Sequence, residues 1–243
     1  MKHHIILYVI ISFIMLMIGK VELFAQQQDL YGIINTYAQV ATHDDCGQYV
    51  VLMDASGFSP GDRALLIQMK GCHYYDGDDR NFGQVEYYSS CGAFEFVTID
   101  AVISDKVVFE SPTVHYYQAG AAQLIKVPQY GDVRVTNGPN SPQSSDPLTA
   151  MAWNNSTNTG GVLVFEASGT VTLNADISVD GKGFVGGSKS ADNIDSNLFS
   201  YIYDPSENKS GTKGEGAGIV PDSLNSGRGP SVNGAGGGVG RSG

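Results

Sequence analysis

Cysteine is scarce in this chain, three in 243 residues, and an odd count leaves at least one thiol outside any internal disulfide. Tryptophan occurs once, and charged residues make up only 16% of the sequence. Basic residues are the scarcer sign, 14 Lys and Arg against 25 Asp and Glu, for a net charge of −11. Such a surface repels phosphate backbones and anionic headgroups, so nucleic acid is not expected as a partner. No stretch carries the 3.6-residue apolar period of an amphipathic helix, which argues against helical classes. Catalytic signatures are lacking too: there is no Gly-x-Ser-x-Gly, no His-Glu-x-x-His and no phosphate-binding glycine loop. Only one long apolar run exists, at the N-terminus.

That run, Ile5 to Ile18, follows Lys2 and precedes Leu23-Phe24-Ala25 and a glutamine tract. It falls short of the about 20 apolar residues that a membrane span needs. A basic start, an apolar core and a small residue at a polar boundary predict a signal peptide over residues 1–25. A secreted or cell-surface location follows, with no membrane span after cleavage. Cleavage leaves 12 basic and 24 acidic residues, a net charge of −12. In an oxidising compartment disulfides persist. Cys72 and Cys91 flank a polar, tyrosine-rich segment and are expected to close it. Cys46 paired with either is the alternative, because connectivity cannot be deduced from sequence.

What is present is β-strand. After a lead-in over 26–44 with no clear period, short apolar runs follow one another. They are Tyr49–Met53, Ala64–Met69, Val85–Tyr88, Ala93–Ile99, Ala101–Ile103, Val107–Phe109, Gln123–Val127 and Val133–Val135. Ser104-Asp105-Lys106 reads as a tight hairpin. Strands this short and evenly spaced predict a small β-sandwich or barrel over 45–136. Residues 137–159, rich in Asn, Ser, Pro and Thr, read as a linker, with Trp153 packing it down.

Glycine usage then shifts: of 31 glycines, 19 fall at or after residue 160. Val162–Phe165 is apolar on both faces and bounded by Gly-Gly and Ser-Gly, the pattern of a covered strand. From Thr170 to Asp180 apolar and polar residues alternate, so Val171, Leu173, Ala175, Ile177 and Val179 are expected to share a dry interior. Strands separated by glycine corners predict an all-β chain in which residues 160–243 begin a right-handed parallel β-helix, truncated at Gly243. Asn208–Gly243 alone also reads as a flexible low-complexity tail.

Three segments taken together, Gly61–Gly71, Gln123–Tyr130 and Gly160–Gly187, resemble the N-terminal region of large secreted bacterial surface proteins, adhesin-like and gliding-motility-associated. The resemblance implies a β-module followed by a glycine-rich, β-helix-like region, and export as type IX secretion cargo. It carries no activity over to any residue.

Candidate constellations are thin. His43, Cys46, Cys72 and His73 match no zinc spacing. Asp76, Asp78 and Asp79 lack the loop pattern of a dedicated calcium site. Asp176 and Asp180 stand about 13 Å apart on one strand face, wider than paired glycosidase carboxylates. Three tyrosine pairs, Tyr74-Tyr75, Tyr87-Tyr88 and Tyr116-Tyr117, each have the means to turn one ring outward, and exposed rings suit sugars. Tyr88 and Tyr117 are the candidate glycan contacts. No catalytic residue, metal ligand or cofactor is expected. The expected function is a non-enzymatic surface scaffold or adhesin whose partner is an extracellular glycan or cell-surface protein. The alternatives are a polysaccharide-processing β-helix enzyme with its site beyond residue 243, and a glycan-binding module.

Overall fold

Period-two burial organises the chain from its first described residues. The computed structural model describes residues 27–138, 147–189, 200–203 and 210–230, with Val232, Gly234, Gly236 and Gly237. The expected signal peptide lies outside the described residues. The first strands are β1 (Gln28–Leu30), β2 (Gly32–Ile33), β3 (Tyr37–His43), β4 (Tyr49–Leu52) and β5 (Arg63–Gln68). Then come β6 (His73–Tyr74), β7 (Val85–Tyr87), β8 (Phe94–Ile103), β9 (Lys106–Phe109) and β10 (Ala122–Lys126). The last are β11 (Gln129–Tyr130), β12 (Val133–Val135), β13 (Leu148–Thr149), β14 (Glu166–Ala167) and β15 (Val171–Leu173). The chain is all-β, and its one described helical element is a single 3-10 turn at Asp222–Leu224.

Six strands close a barrel in the order β10-β3-β4-β9-β8-β5, every pair antiparallel. Alternate residues fill it: Ala38 and Val40 from β3, Ala64 and Leu66 from β5, Val97 and Ile99 from β8, Leu124 from β10. Each fully buried Val, Leu or Ile side chain contributes about 1.5–3 kcal/mol. The two runs Ala93–Ile99 and Ala101–Ile103 are one strand, β8, with a bulge between Ile99 and Ala101. A hairpin joins it to β9 through Ser104, whose φ of 56° is left-handed.

The remaining strands form parallel ladders, and they show where the barrel sits. β1 pairs in register with β12, and β12 with β15. β2 pairs with β13, β11 with β14, and Leu148 bridges to Ile177. The layers are therefore β1–β2, then β11–β12–β13, then β14–β15–Ile177: the start of a parallel coil. Its first layer precedes the barrel in sequence and its second follows it, so the barrel is an insertion between β2 and β11. Val133–Val135, which the run of short strands suggests is the barrel's last, belongs to the coil. β3, a barrel strand, lies in the stretch that shows no clear period.

In-register stacking builds columns. Leu30, Val133, Val135 and Leu148 form the coil's buried core. Above Val133 and Val135 stand Val171 and Leu173. These are exposed by 42% and 63%, and Ile177 and Val179 by 44% and 43%. The dry interior expected for residues 171–179 is thus not formed, although Ala175 packs against the core. The alternation is present, but this is the outermost described layer, so among the described residues its strand has a partner below and none above.

Residues 160–165 join coil to barrel. Val162 and Val164 pack on the barrel's outer cluster of Leu65, Ile125 and Val127, while Leu163 and Phe165 pack on the coil core. The two-sided apolar pattern thus serves two different cores. No barrel strand pairs with this stretch; barrel side chains hold its backbone instead. Gly160 O accepts from Gln123 Nε2 at 3.0 Å, and Gly160 N donates to Gln123 Oε1 at 2.8 Å. Val162 O accepts from Tyr37 Oη at 2.6 Å. Val164 O accepts from Asn35 Nδ2 at 2.6 Å, and Val164 N donates to Asn35 Oδ1 at 3.1 Å. Every second carbonyl is bound, and the intervening side chains face the coil. Gly160 and Gly161 take φ of +100° and +74° at the corner before it, a region side chains resist. Trp153 packs edge-on against Phe184, centroids 5.0 Å apart, and holds its loop down.

Candidate functional site

Three exposed aromatic rings, Tyr75, Tyr87 and Tyr88, lie on or next to the β6–β7 hairpin, which leaves the barrel between β5 and β8. Strand alternation gives it two faces. Tyr74 and the buried Phe82 are 5.8 Å apart and face the glycine-rich segment. A Cβ on Gly218 would meet the Tyr74 ring at 2.7 Å, and one on Gly229 the Phe82 ring at 2.5 Å. Glycine there lets backbone lie directly on aromatic rings. Over Phe82 sits Lys213, its Nζ 4.3 Å from the ring centroid. That ammonium donates to the carbonyls of Tyr201 and Gly227, and burial pulls its pKa down to about 8.

On the other face His73 stacks on Tyr87, centroids 4.0 Å apart and planes 16° from parallel. Tyr87 is 54% exposed and Tyr88 64%. Tyr75, also exposed, donates from its hydroxyl to Asp79 at 2.9 Å, which raises the phenol pKa and helps lower that of the carboxyl. The larger influence on Asp79 is the Asn81 amide, so its carboxylate shapes the hairpin loop. Asp78 accepts from the amides of Tyr201 and Ile202 at 2.6 and 3.0 Å and ties the loop to the chain opposite. A groove of about 230 Å³ runs beside His73 and Tyr74, bordered by Asp76, Gln118, Ile219 and Pro221. The His73–Tyr87 stack offers flat ring faces, and Asp76 at the groove offers a carboxylate acceptor, two kinds of group that a sugar ring engages.

Tyr88 is exposed just past the end of β7; Tyr117 is not exposed. Tyr117 is wholly buried in the barrel core, where its hydroxyl donates to Glu95 at 3.1 Å and burial raises its pKa. In this pair Tyr116 is the ring turned to solvent. Tyr117 is therefore corrected from a candidate glycan contact to a core residue. Glu95 also accepts from the amides of Val114 and His115 at 2.7 and 2.8 Å, and so anchors the loop over the barrel end.

No family model matches the sequence, and no curated protein matches it. Three solved structures do, all phage tailspikes. That of Pseudomonas phage phi297 matches with a TM-score of 0.24 at 13% identity, over 44% of this chain and 15% of its own. That of Acinetobacter baumannii bacteriophage AP22, solved with A. baumannii capsular saccharide, matches at 0.27 and 17%, over 60% and 23%. That of Pseudomonas phage LKA1 matches at 0.27 and 14%, over 63% and 23%. The chain spans less than a quarter of any of them. A likeness this slight carries no argument about function.

The metal set considered from sequence is scattered into separate roles. His43 is buried between Tyr116 and Tyr117, with Nε2 3.0 Å from Thr113 Oγ1. His73 stacks on Tyr87, and Cys72 is buried beneath the glycine-rich segment. Among the described residues no three His, Cys, Asp or Glu side chains are grouped to hold a metal. Among them, too, no helix is long and apolar enough to cross a membrane. Sequence reasoning missed the His73–Tyr87 stack. The signal for it was an aromatic at each end of the Cys72–Cys91 segment, where an antiparallel hairpin sets first residues against last.

Proposed function

We propose that the chain is the root of an exported, non-catalytic surface scaffold that touches extracellular glycan through the outer face of its β6–β7 hairpin. One observation carries the reading: the coil begins before the barrel and resumes after it. The barrel is thus locked into the first layer of a stack that extends along one axis by repeating in-register strands. A body built this way holds a side-mounted module at a fixed place on a stalk. The glycan part draws on Tyr87, exposed and stacked on His73, and on the exposed Tyr88 that follows it. Export through the type IX route belongs to the same reading and draws on the resemblance of the three segments.

The purified chain is expected to bind at least one polysaccharide on a carbohydrate array. Stacking is worth about 0.5–1.5 kcal/mol per ring, so the double substitution Tyr87→Ala, Tyr88→Ala should weaken binding about fivefold or more. Silence of the wild-type chain across the array would remove the glycan reading. Antibody to the chain is expected to label intact cells that make it; labelling only after lysis would remove the surface assignment.

A further inference from the structure

The β5–β8 ladder ends with Ile67 opposite Phe94, and the amide of Gly92 still reaches the Gln68 carbonyl at 2.8 Å beyond it. The strand leaving β5 and the strand entering β8 therefore run side by side past the barrel rim, with the hairpin between them. Cys72 stands on the first and Cys91 on the second. Both converge on one acceptor, the Ala217 carbonyl of the glycine-rich segment: Cys72 N donates to it at 3.2 Å and Cys91 Sγ lies 3.7 Å from it. Cys91 Sγ lies also 3.7 Å from the Met69 carbonyl, on the strand that leads to Cys72, and in this structure both cysteines are free thiols. Cys46 is exposed in the β3–β4 turn, whose contacts are with Asp44 and Thr113.

We propose that Cys72 and Cys91 are joined by a disulfide that staples the neck of the β6–β7 hairpin, leaving Cys46 as the one thiol. The geometry thereby chooses among pairings that sequence spacing leaves open. The bond forms as two thiols give up two protons and two electrons. An acceptor disulfide, that of an exported thiol oxidase or of oxidised glutathione, takes them and leaves as two thiols. Burial, followed by contact with Cys72, pushes the Cys91 thiol up to about 12, so in the folded chain Cys91 holds little attacking thiolate. Because Cys72 is buried beneath the Ala217 segment, the ring closes during folding, before that segment settles over it. Once closed, it holds the base of the hairpin that carries His73 and Tyr87 and fixes the spacing of their faces.

The inference rests on the export reading only for its occurrence in cells, and two preparations keep the two apart. In the first, the reduced, unfolded chain is refolded in a glutathione redox buffer and digested without reduction. A linked peptide pair containing Cys72 and Cys91, lighter by two hydrogens, is expected, with Cys46 alone alkylated in denaturant. Three alkylated cysteines, or a link to Cys46, would overturn the proposal. Cys72→Ser and Cys91→Ser should each lower the melting temperature by about 6–12 °C, and Cys46→Ser should leave it unchanged. Equal effects at all three positions would also overturn it. In the second preparation, protein recovered from the outside of cells should carry the same link. Free thiols there, with the link formed in vitro, would count against export and leave the pairing supported.

Discussion

Replacing Asn35 by alanine is the sharpest test of how coil and barrel are joined. The Asn35 side chain is 8% exposed and makes three hydrogen bonds: to Val164 O at 2.6 Å, to Lys126 O at 3.0 Å, and from Val164 N at 3.1 Å. Alanine removes all three and leaves two carbonyls and an amide in a half-buried seam. At about 1 kcal/mol net per bond, the loss is about 3 kcal/mol. For a chain of this size that is a fall in melting temperature of about 6–12 °C. Trp153, the sole tryptophan, lies at the corner that leads into the joint and so reports on it. Fluorescence should track far-UV circular dichroism through denaturant unfolding of the wild type. In the Asn35→Ala variant the fluorescence transition should come first. Asn35→Asp sharpens the case, because a carboxylate accepts from the Val164 amide but meets two carbonyl oxygens. Those oxygens and burial raise its folded pKa, so stability is present at low pH and lost as pH rises through that pKa. The aspartate variant should therefore be weaker than the alanine variant at pH 7 and recover as pH falls. A cost below about 1 kcal/mol for alanine, or an aspartate variant that tracks alanine across that range, would refute the reasoning.

Three further outcomes follow from the same contacts. Burial lowers the pKa of His43 against the pull of Asp44, Asp45 and Glu95, so its contribution is present above the unfolded value of about 6.5 and lost as pH falls below it. The denaturation midpoint should drop between pH 7 and 5, and His43→Gln should flatten that drop. In the coil, Val135→Ala should cost about 2 kcal/mol, whereas Leu173→Ala, on the open layer above it, should stay within about 0.5–1 kcal/mol by urea unfolding. Tyr117→Phe should cost about 1–2 kcal/mol through the lost bond to Glu95 and leave any glycan binding unchanged.

The barrel is readable in sequence where strands are apolar and regular. Ala64–Met69 and Gln123–Val127 are each within a residue of β5 and β10. β3 hides for a physical reason. Its inward residues include the small Ala38, and a bulge between Val40 and Thr42 breaks the period before His43. β1 and β2 are three and two residues long, too short to show a period at all, and their partners lie more than a hundred residues away. A parallel column is a relation between layers, and one strand's pattern carries no sign of which layer lies above it. Hence Val171 and Leu173 show the right alternation and the wrong burial. The same blindness affects the tyrosine pairs: alternation says that one ring of Tyr116-Tyr117 turns inward, and only the Glu95 acceptor decides which.

The glycine-rich segment was ambiguous between a flexible tail and the corners of a coil, and its described part behaves as a third thing, a packing surface. Gly218 and Gly229 bring backbone against Tyr74 and Phe82, and the buried Lys213 caps the contact from above Phe82. That contact covers one face of the hairpin and leaves His73 and Tyr87 on the other, with Tyr88 exposed just past β7. A side chain at Gly218 or Gly229 would displace an aromatic ring and with it the orientation of the exposed face. The glycines thus act on the candidate site without touching whatever binds there. Gly218→Ala should shift the hairpin and weaken polysaccharide binding while Tyr87 and Tyr88 remain in place in the sequence. Gly183→Ala, where a Cβ meets open space, should leave binding unchanged. Equal binding by the two variants would show that the glycine contact does not set the face.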